Sequence, residues 1–217
     1  AAGRQLEREL NTWWGEVISR EFELESVLEL QFETHFKRFL MPTVRGSDKG
    51  SKKRYAGVVA GKNGDQLVFK GLESVRTDWT RLAREFQEEL YRRIFMKEPY
   101  REYVKDVTAR VVAGEEDQRL VYRKRLRRKL DDYQRNAPPH VQAARLCAER
   151  GLLVPARGDW VEYVITTSGA EPAAKPLAPL DYQHYVDRQL APIADGILGF
   201  VGSSFTALTE QQISLFQ

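Results

Sequence analysis

The spacing of apolar positions divides the chain. Leu6, Leu10, Trp13, Trp14, Val17 and Ile18 recur at helical spacing and predict a helix over about residues 4–20. From Leu28 to Glu33 the period changes to strict alternation, the pattern of a half-buried strand. A further extended run covers Phe36 to Met41 and ends at Pro42. Arg54 to Gly61 and Gln66 to Lys70 are two strand-like runs joined around Asn63-Gly64. That dipeptide supplies the positive φ angles of a two-residue hairpin turn. Beyond Asp78 the pattern turns helical. Trp79, Leu82, Ala83, Phe86, Leu90 and Ile94 form one stripe; Tyr100, Val104, Val107 and Val111 form the next. Pro138-Pro139 opens a third helix carrying Val141, Ala144 and Ala148, and Gly151 stops it. Trp160 to Ile165 reads as a short strand, and residues 169–180 as a proline-rich loop. A last helix carries Tyr182, Val186, Leu190, Ile193 and Ile197, with Asp181 as its N-cap. The last ten residues look too polar and irregular to extend the core. The fold class is α+β: a helix and a sheet up to about residue 78, then a mostly helical portion.

Composition narrows the function classes. Of 217 residues, 42% are hydrophobic, enough for a core, and 30% are charged, as a wetted surface requires. No apolar run approaches the roughly 20 residues of a membrane span, and no secretory signal is present. Cys147 is the single cysteine, so no internal disulfide can form; a core position and a reducing cytoplasm are its expected setting. The first residue is not Met, and the chain is expected to be a fragment of a longer product.

Net charge is only +3, but it is unevenly placed. Between residues 119 and 135, eight cations face only Asp131 and Asp132. Arg45, Lys49, Lys52, Lys53 and Arg54 form a second cluster against Asp48. Such clusters suit a polyanion, although a charge run also serves as solvated surface. Lys52, Lys53, Arg54 and Tyr55 stand at the mouth of a strand. Alternate strand residues share a face, so Lys53 and Tyr55 can meet one ligand, with cations on phosphates and the ring on a sugar. Gly71 permits close backbone approach, and Glu73 and Asp78 are placed to orient Lys70 and Arg76. No nucleophile elbow, P-loop or Cys/His cluster is present. His35, His140 and His184 lack metal-ligand spacing. Taken alone, the residues offer binding chemistry and no complete active site.

Lys-Lys-Arg-Tyr-Ala-Gly at 52–57, followed by Lys-Gly-x-Glu-x-Val-Arg-x-Asp-Trp at 70–79, resembles the palm-to-thumb signature of family B DNA polymerases. Leu28 to Glu33 resembles the palm strand that precedes it. Stretches at 33–42, 121–128, 133–136, 138–141 and 179–182 are similar to bacterial members of that family. The resemblance implies the C-terminal part of a DNA-directed DNA polymerase of the repair and translesion type. Residues 1–78 would be the end of the palm, an antiparallel sheet remnant with a helix. Residues 79–206 would be a mostly helical thumb, and 207–217 a tail that binds the sliding clamp. It implies that Lys52, Lys53 and Tyr55 lie along the primer–template minor groove, that Arg54 beside them also binds DNA, and that Lys70 and Arg76 hold primer backbone. Arg123, Lys124, Arg125, Arg127, Arg128, Tyr133 and His140 would grip the duplex. Gln212, Leu215 and Phe216, in Gln-x-x-Leu-Phe, would seat in an apolar pocket of the clamp. The family motifs carrying the metal-binding aspartates lie upstream of a helix like 4–20, and neither is in this sequence. No catalytic or metal-binding residue is therefore assigned, although Glu29 and Glu33 fall where acidic residues approach the metals in relatives. Mg2+ and deoxynucleotides are expected at the missing palm and fingers, and the fragment alone is not expected to polymerise. The competing reading is a stand-alone, non-catalytic DNA-binding or clamp-adaptor module.

Overall fold

A computed structural model describes residues 2–42, 53–62, 64–134 and 137–213, with side chains through Thr209. The chain divides into two compact units, residues 1–39 with 57–68 and residues 40–56 with 69–217.

In the first unit the predicted helix is α1 (Ala2–Phe22), and none of its residues is buried. Its apolar stripe stays open to solvent, with Trp13 51% and Leu6 55% exposed. The strand expected over Leu28 to Glu33 does not form. Alternation suits a residue to a sheet, but a strand also needs a neighbouring strand to take its backbone groups. Here side chains of α1 take them. The Asn11 amide donates to the Leu30 carbonyl and accepts from the Leu30 N–H, both at 2.8 Å. The Glu7 carboxylate accepts from the Phe32 N–H at 2.6 Å. Gly3 completes this seam, since a Cβ on it would overlap the Phe32 ring.

β1 (Phe36–Leu40), β2 (Tyr55–Gly61) and β3 (Gly64–Lys70) form a three-stranded sheet in that order. Only a two-residue link joins β2 to β3, which an antiparallel pair alone allows. Asn63 of the expected turn lies outside the described residues.

The second unit contains the predicted helices α2 (Arg81–Met96), α3 (Arg101–Val112) and α4 (Pro139–Glu149). Thr80 caps α2, its hydroxyl accepting from the Ala83 N–H at 3.2 Å. A strand that the sequence did not disclose, β4 (Tyr122–Arg125), joins β5 (Trp160–Thr166) and β6 (Gly169–Pro172) in an antiparallel sheet of order β4-β5-β6. The start of the expected 169–180 loop is thus an edge strand, where Pro172 is tolerated. α4 packs on β5 and β6. Leu126, Val141, Ala143, Ala144, Val161, Tyr163 and Ala170 form the core between them.

The last helix runs as α5 (Tyr182–Tyr185), one π turn at Val186–Leu190, and α6 (Ala191–Leu198). Asp181 caps it as expected, accepting from the His184 N–H at 3.0 Å. The π turn precedes Pro192, which removes a backbone donor from the helix. α7 (Phe205–Ile213) then continues the ordered chain, with Phe205 and Leu208 buried. The last ten residues therefore begin inside the core and in helix, contrary to the expectation from their polarity. Two antiparallel sheets with intervening helices bear out the α+β class.

Candidate nucleic-acid interface

The first group of expected DNA-binding residues gathers where β3 turns into α2. Gly71 has φ +63°, a left-handed angle that glycine accepts freely. A Cβ there would strike the Lys53 carbonyl oxygen, so the turn after β3 lies directly on the chain entering β2. Lys53 and Lys70 are exposed. Arg54 turns inward and forms an ion pair with Glu73, which is 9% exposed. Glu73 also accepts from the Gln87 side-chain amide at 2.8 Å, and Gln87 accepts from the Ser74 N–H at 2.7 Å. Sequence reasoning had Glu73 orienting Lys70; it holds Arg54 instead. Asp78 does orient Arg76, through two hydrogen bonds of 2.9 and 2.8 Å. This pairing raises the Arg76 guanidinium and holds Asp78 below the usual carboxylate range. Lys52 lies outside the described residues.

The second group is carried by β4. Its register sets Arg123 against Glu162 and Arg125 against Trp160, with Lys124 between them on the opposite face. The Arg123 guanidinium lies 4.6 Å over the Trp160 ring, and its Nε is 3.8 Å from Glu162. Arg125 donates from Nε to the Gly158 carbonyl at 2.7 Å. Lys124 faces the other way; Arg76 does most to lower the Asp78 pKa, and the Lys124 charge adds to this and also lowers that of His140. For His140 burial is the larger cause. His140 is 5% exposed, its Nδ1 has no hydrogen-bond partner among the described residues, and the Tyr133 ring meets it edge-on at 6.4 Å. Leu126 ends β4 fully buried, pinned by backbone bonds to Asp159 and Gly158. Arg127 and Arg128 follow it, exposed and without an ion pair among the described residues.

Thus Tyr133 meets His140, Arg76 is held by Asp78, and Lys124 stands on one side of β4. Arg123 and Arg125 stand on the other, and Arg127 and Arg128 lie just past its end. Arg119, the first cation of the run, is consumed by Glu116 at 2.5 Å and by Glu85. Arg135 lies outside the described residues. Gln212 falls within α7, but its side chain, like Leu215 and Phe216, lies outside them as well.

Sequence reasoning missed Gln87. Its signal was a polar residue on the stripe otherwise filled by Leu82, Ala83, Phe86 and Leu90, where a buried amide must find partners. It also missed a stack of Tyr122 on Tyr163 and Tyr185, with centroids 5.1 and 5.7 Å apart, and the Tyr122 hydroxyl 3.1 Å from His184 Nε2. That stack ties β4 to β5 and α5. Glu29 and Glu33 are exposed on the segment beside α1. Among the described residues no three of His, Cys, Asp or Glu converge as a metal ion requires. The residues here do not fit a two-metal set. No described helix is long and apolar enough to cross a membrane.

The family model for DNA polymerase family B matches residues 12–198. The chain is 54% identical to DNA polymerase II of Escherichia coli over 99% of its length, and spans 28% of that protein. It is 34% identical to DNA polymerase 2 of Aeropyrum pernix over 70% of its length, covering 20% of that relative. The solved family B DNA polymerase of Pyrobaculum calidifontis superposes on 86% of the chain with a TM-score of 0.58 and 25% identity, and the chain covers 24% of it. The chain therefore spans about a quarter of the relatives it matches, and with most of its length matched by the family model it belongs to DNA polymerase family B.

Proposed function

We propose that this chain is the palm end, thumb and clamp-binding tail of a DNA-directed DNA polymerase of the repair and translesion type. Its role is to hold primer–template duplex. The observation that carries this reading is the run of exposed cations along and past β4: Lys124 on one face, Arg123 and Arg125 on the other, and Arg127 and Arg128 without an ion pair among the described residues. Positive charge is concentrated there on an edge strand, and the buried Leu126, bonded to Asp159 and Gly158, anchors the cations that follow it. Lys53, Tyr55 and Lys70 extend the surface toward the minor groove. Such contacts fall on phosphate and sugar, so they fix the position of a duplex and read little of its sequence. Residues 1–78 belong on this reading to the palm, 79–206 to the thumb and 207–217 to the tail. Leu215 and Phe216 enter the clamp, with Gln212 at the rim of the pocket. Mg2+ and deoxynucleotide bind elsewhere in the polymerase.

The test is binding of this chain to a labelled primer–template duplex over a salt series. A steep loss of affinity with rising salt is expected, because each neutralised phosphate contributes about 0.9 to the slope of log K against log salt. Changing Arg127 and Arg128 together to Ala is expected to flatten that slope by about two. Binding that ignores salt, or no binding at low salt, overturns the reading.

A further inference from the structure

Arg54 stands in a run of cations, yet its side chain leaves that run. It is one-third exposed and paired with a Glu73 carboxylate that is 12% exposed. For Arg54 to reach a phosphate it would have to abandon Glu73, leaving an enclosed negative charge held, among the described residues, by the Gln87 amide and facing a polyanion. The pair is electrically neutral and adds nothing to the charge that displaces counterions from DNA. What it joins is specific. Arg54 sits between Lys53 and Tyr55 at the start of β2. Glu73 lies in the turn that Gly71 presses onto the Lys53 carbonyl. Gln87 lies two turns into α2 and also fixes the Ser74 N–H of the same turn.

We propose that Arg54 is a positioning residue. Through Glu73 and Gln87 it ties the start of β2 to α2, so that Lys53 and Lys70 meet the duplex on a preset frame while Arg54 itself touches no phosphate. This rests on the reading that the surface holds duplex DNA. It also makes Gln87, a buried amide on α2, part of the same device.

The sign of one substitution separates positioning from contact. Glu73→Gln removes a negative charge beside the DNA, and electrostatics alone would tighten binding. Positioning requires the opposite: about tenfold weaker binding at every salt concentration, with the salt slope unchanged. Arg54→Met should behave likewise, whereas Lys53→Met should flatten the slope by about one. Tighter binding by Glu73→Gln, or a slope flattened by one in Arg54→Met, overturns the proposal. A second measurement needs no DNA. Tryptic cleavage at the Arg54–Tyr55 bond, followed by mass spectrometry, should quicken about tenfold in Glu73→Gln and in Gln87→Leu while peptides from α3 and α4 stay protected. Unchanged cleavage overturns the proposal. If the unaltered chain binds no duplex, the grip reading falls and the cleavage rates alone decide whether the network holds the start of β2.

Discussion

Removing the Glu171 carboxylate should unfold the second sheet more readily than any surface change. Its side chain is 5% exposed, and that of its partner Arg150 is 10% exposed, with 2.7 Å between Oε2 and Nη1. Glu171 also accepts from the Leu177 N–H at 2.6 Å and the Thr166 hydroxyl at 3.1 Å, while Arg150 donates to the Lys175 carbonyl at 2.7 Å. The pair therefore fastens the end of α4 to β6 and to the chain leaving it. Glu171→Ala leaves an enclosed guanidinium without its counter-charge, a loss of about 3–5 kcal/mol. At roughly 2–4 °C per kcal/mol for a chain of this size, Tm should fall by about 6–20 °C. Glu171→Gln keeps one oxygen to accept from Leu177 while its NH2 can donate to the Thr166 hydroxyl, and it should cost only about 1–3 kcal/mol. The double change Arg150→Met with Glu171→Leu removes both charges and should recover most of the loss, since a buried pair gains little over apolar packing.

Burial pushes the Glu171 carboxyl up, but the Leu177 N–H, Arg150 and Thr166 outweigh it and hold it below its ordinary 4.5. Its contribution is then complete above about pH 4.5 and drains away as pH falls through the lower folded value. The unaltered chain should lose stability in acid more steeply than Glu171→Gln. Urea titrations at pH 7 and across the acid range measure both effects. A Glu171→Ala loss under about 1 kcal/mol, or a double variant no better than Glu171→Ala, refutes the reasoning.

Three further outcomes follow from the same structure. Lys124→Ala should let the His140 imidazole titrate nearer its ordinary value, seen as an upward shift of its NMR midpoint; no shift would separate Lys124 from His140 in solution. Gly71→Ala should cost about 1–3 kcal/mol, because it adds a left-handed strain and a collision with the Lys53 carbonyl; chemical denaturation that leaves it unchanged would contradict the close approach. Leu215→Ala with Phe216→Ala should abolish capture of this chain by an immobilised bacterial sliding clamp while leaving duplex affinity within twofold, and persistent capture would place the clamp contact elsewhere.

Much of the fold could be read from spacing. α2, α3 and α4 follow their apolar stripes, with Thr80 capping one and Pro139 opening another. β4 could not be read, because three consecutive cations hide a strand whose pairing rests on Tyr122 meeting Tyr163 forty-one residues later. Leu28 to Glu33 misled for the reverse reason: its alternation is real, but alternation carries no information about a partner. The candidate site divides the same way. Asp78 lies two residues from Arg76, and their pairing was close to legible. Glu73 is nineteen residues from Arg54, so nothing local told that cation from Lys53 beside it. Partners that the fold brings in, Glu73 for Arg54 and Glu116 with Glu85 for Arg119, set those cations apart from their neighbours of the same type.

The seam between α1 and residues 28–33 works as a vernier. Four helical residues rise about 6 Å, and two extended residues advance about 6.6 Å. Asn11 and Glu7 can therefore address Leu30 and Phe32 in step, one helical turn for every two residues of extended chain. The neighbouring marks on this scale are Gly15 and Gly3, which have no side chain to offer. Because Asn11 engages both polar groups of one peptide residue, a slip by one position would present it with backbone groups pointing away and would turn Leu30 and Phe32 to the opposite face. Two side chains thus set the phase of the whole segment. Substitutions at residue 11 should shift that phase, while those along 28–33 should change only what it displays.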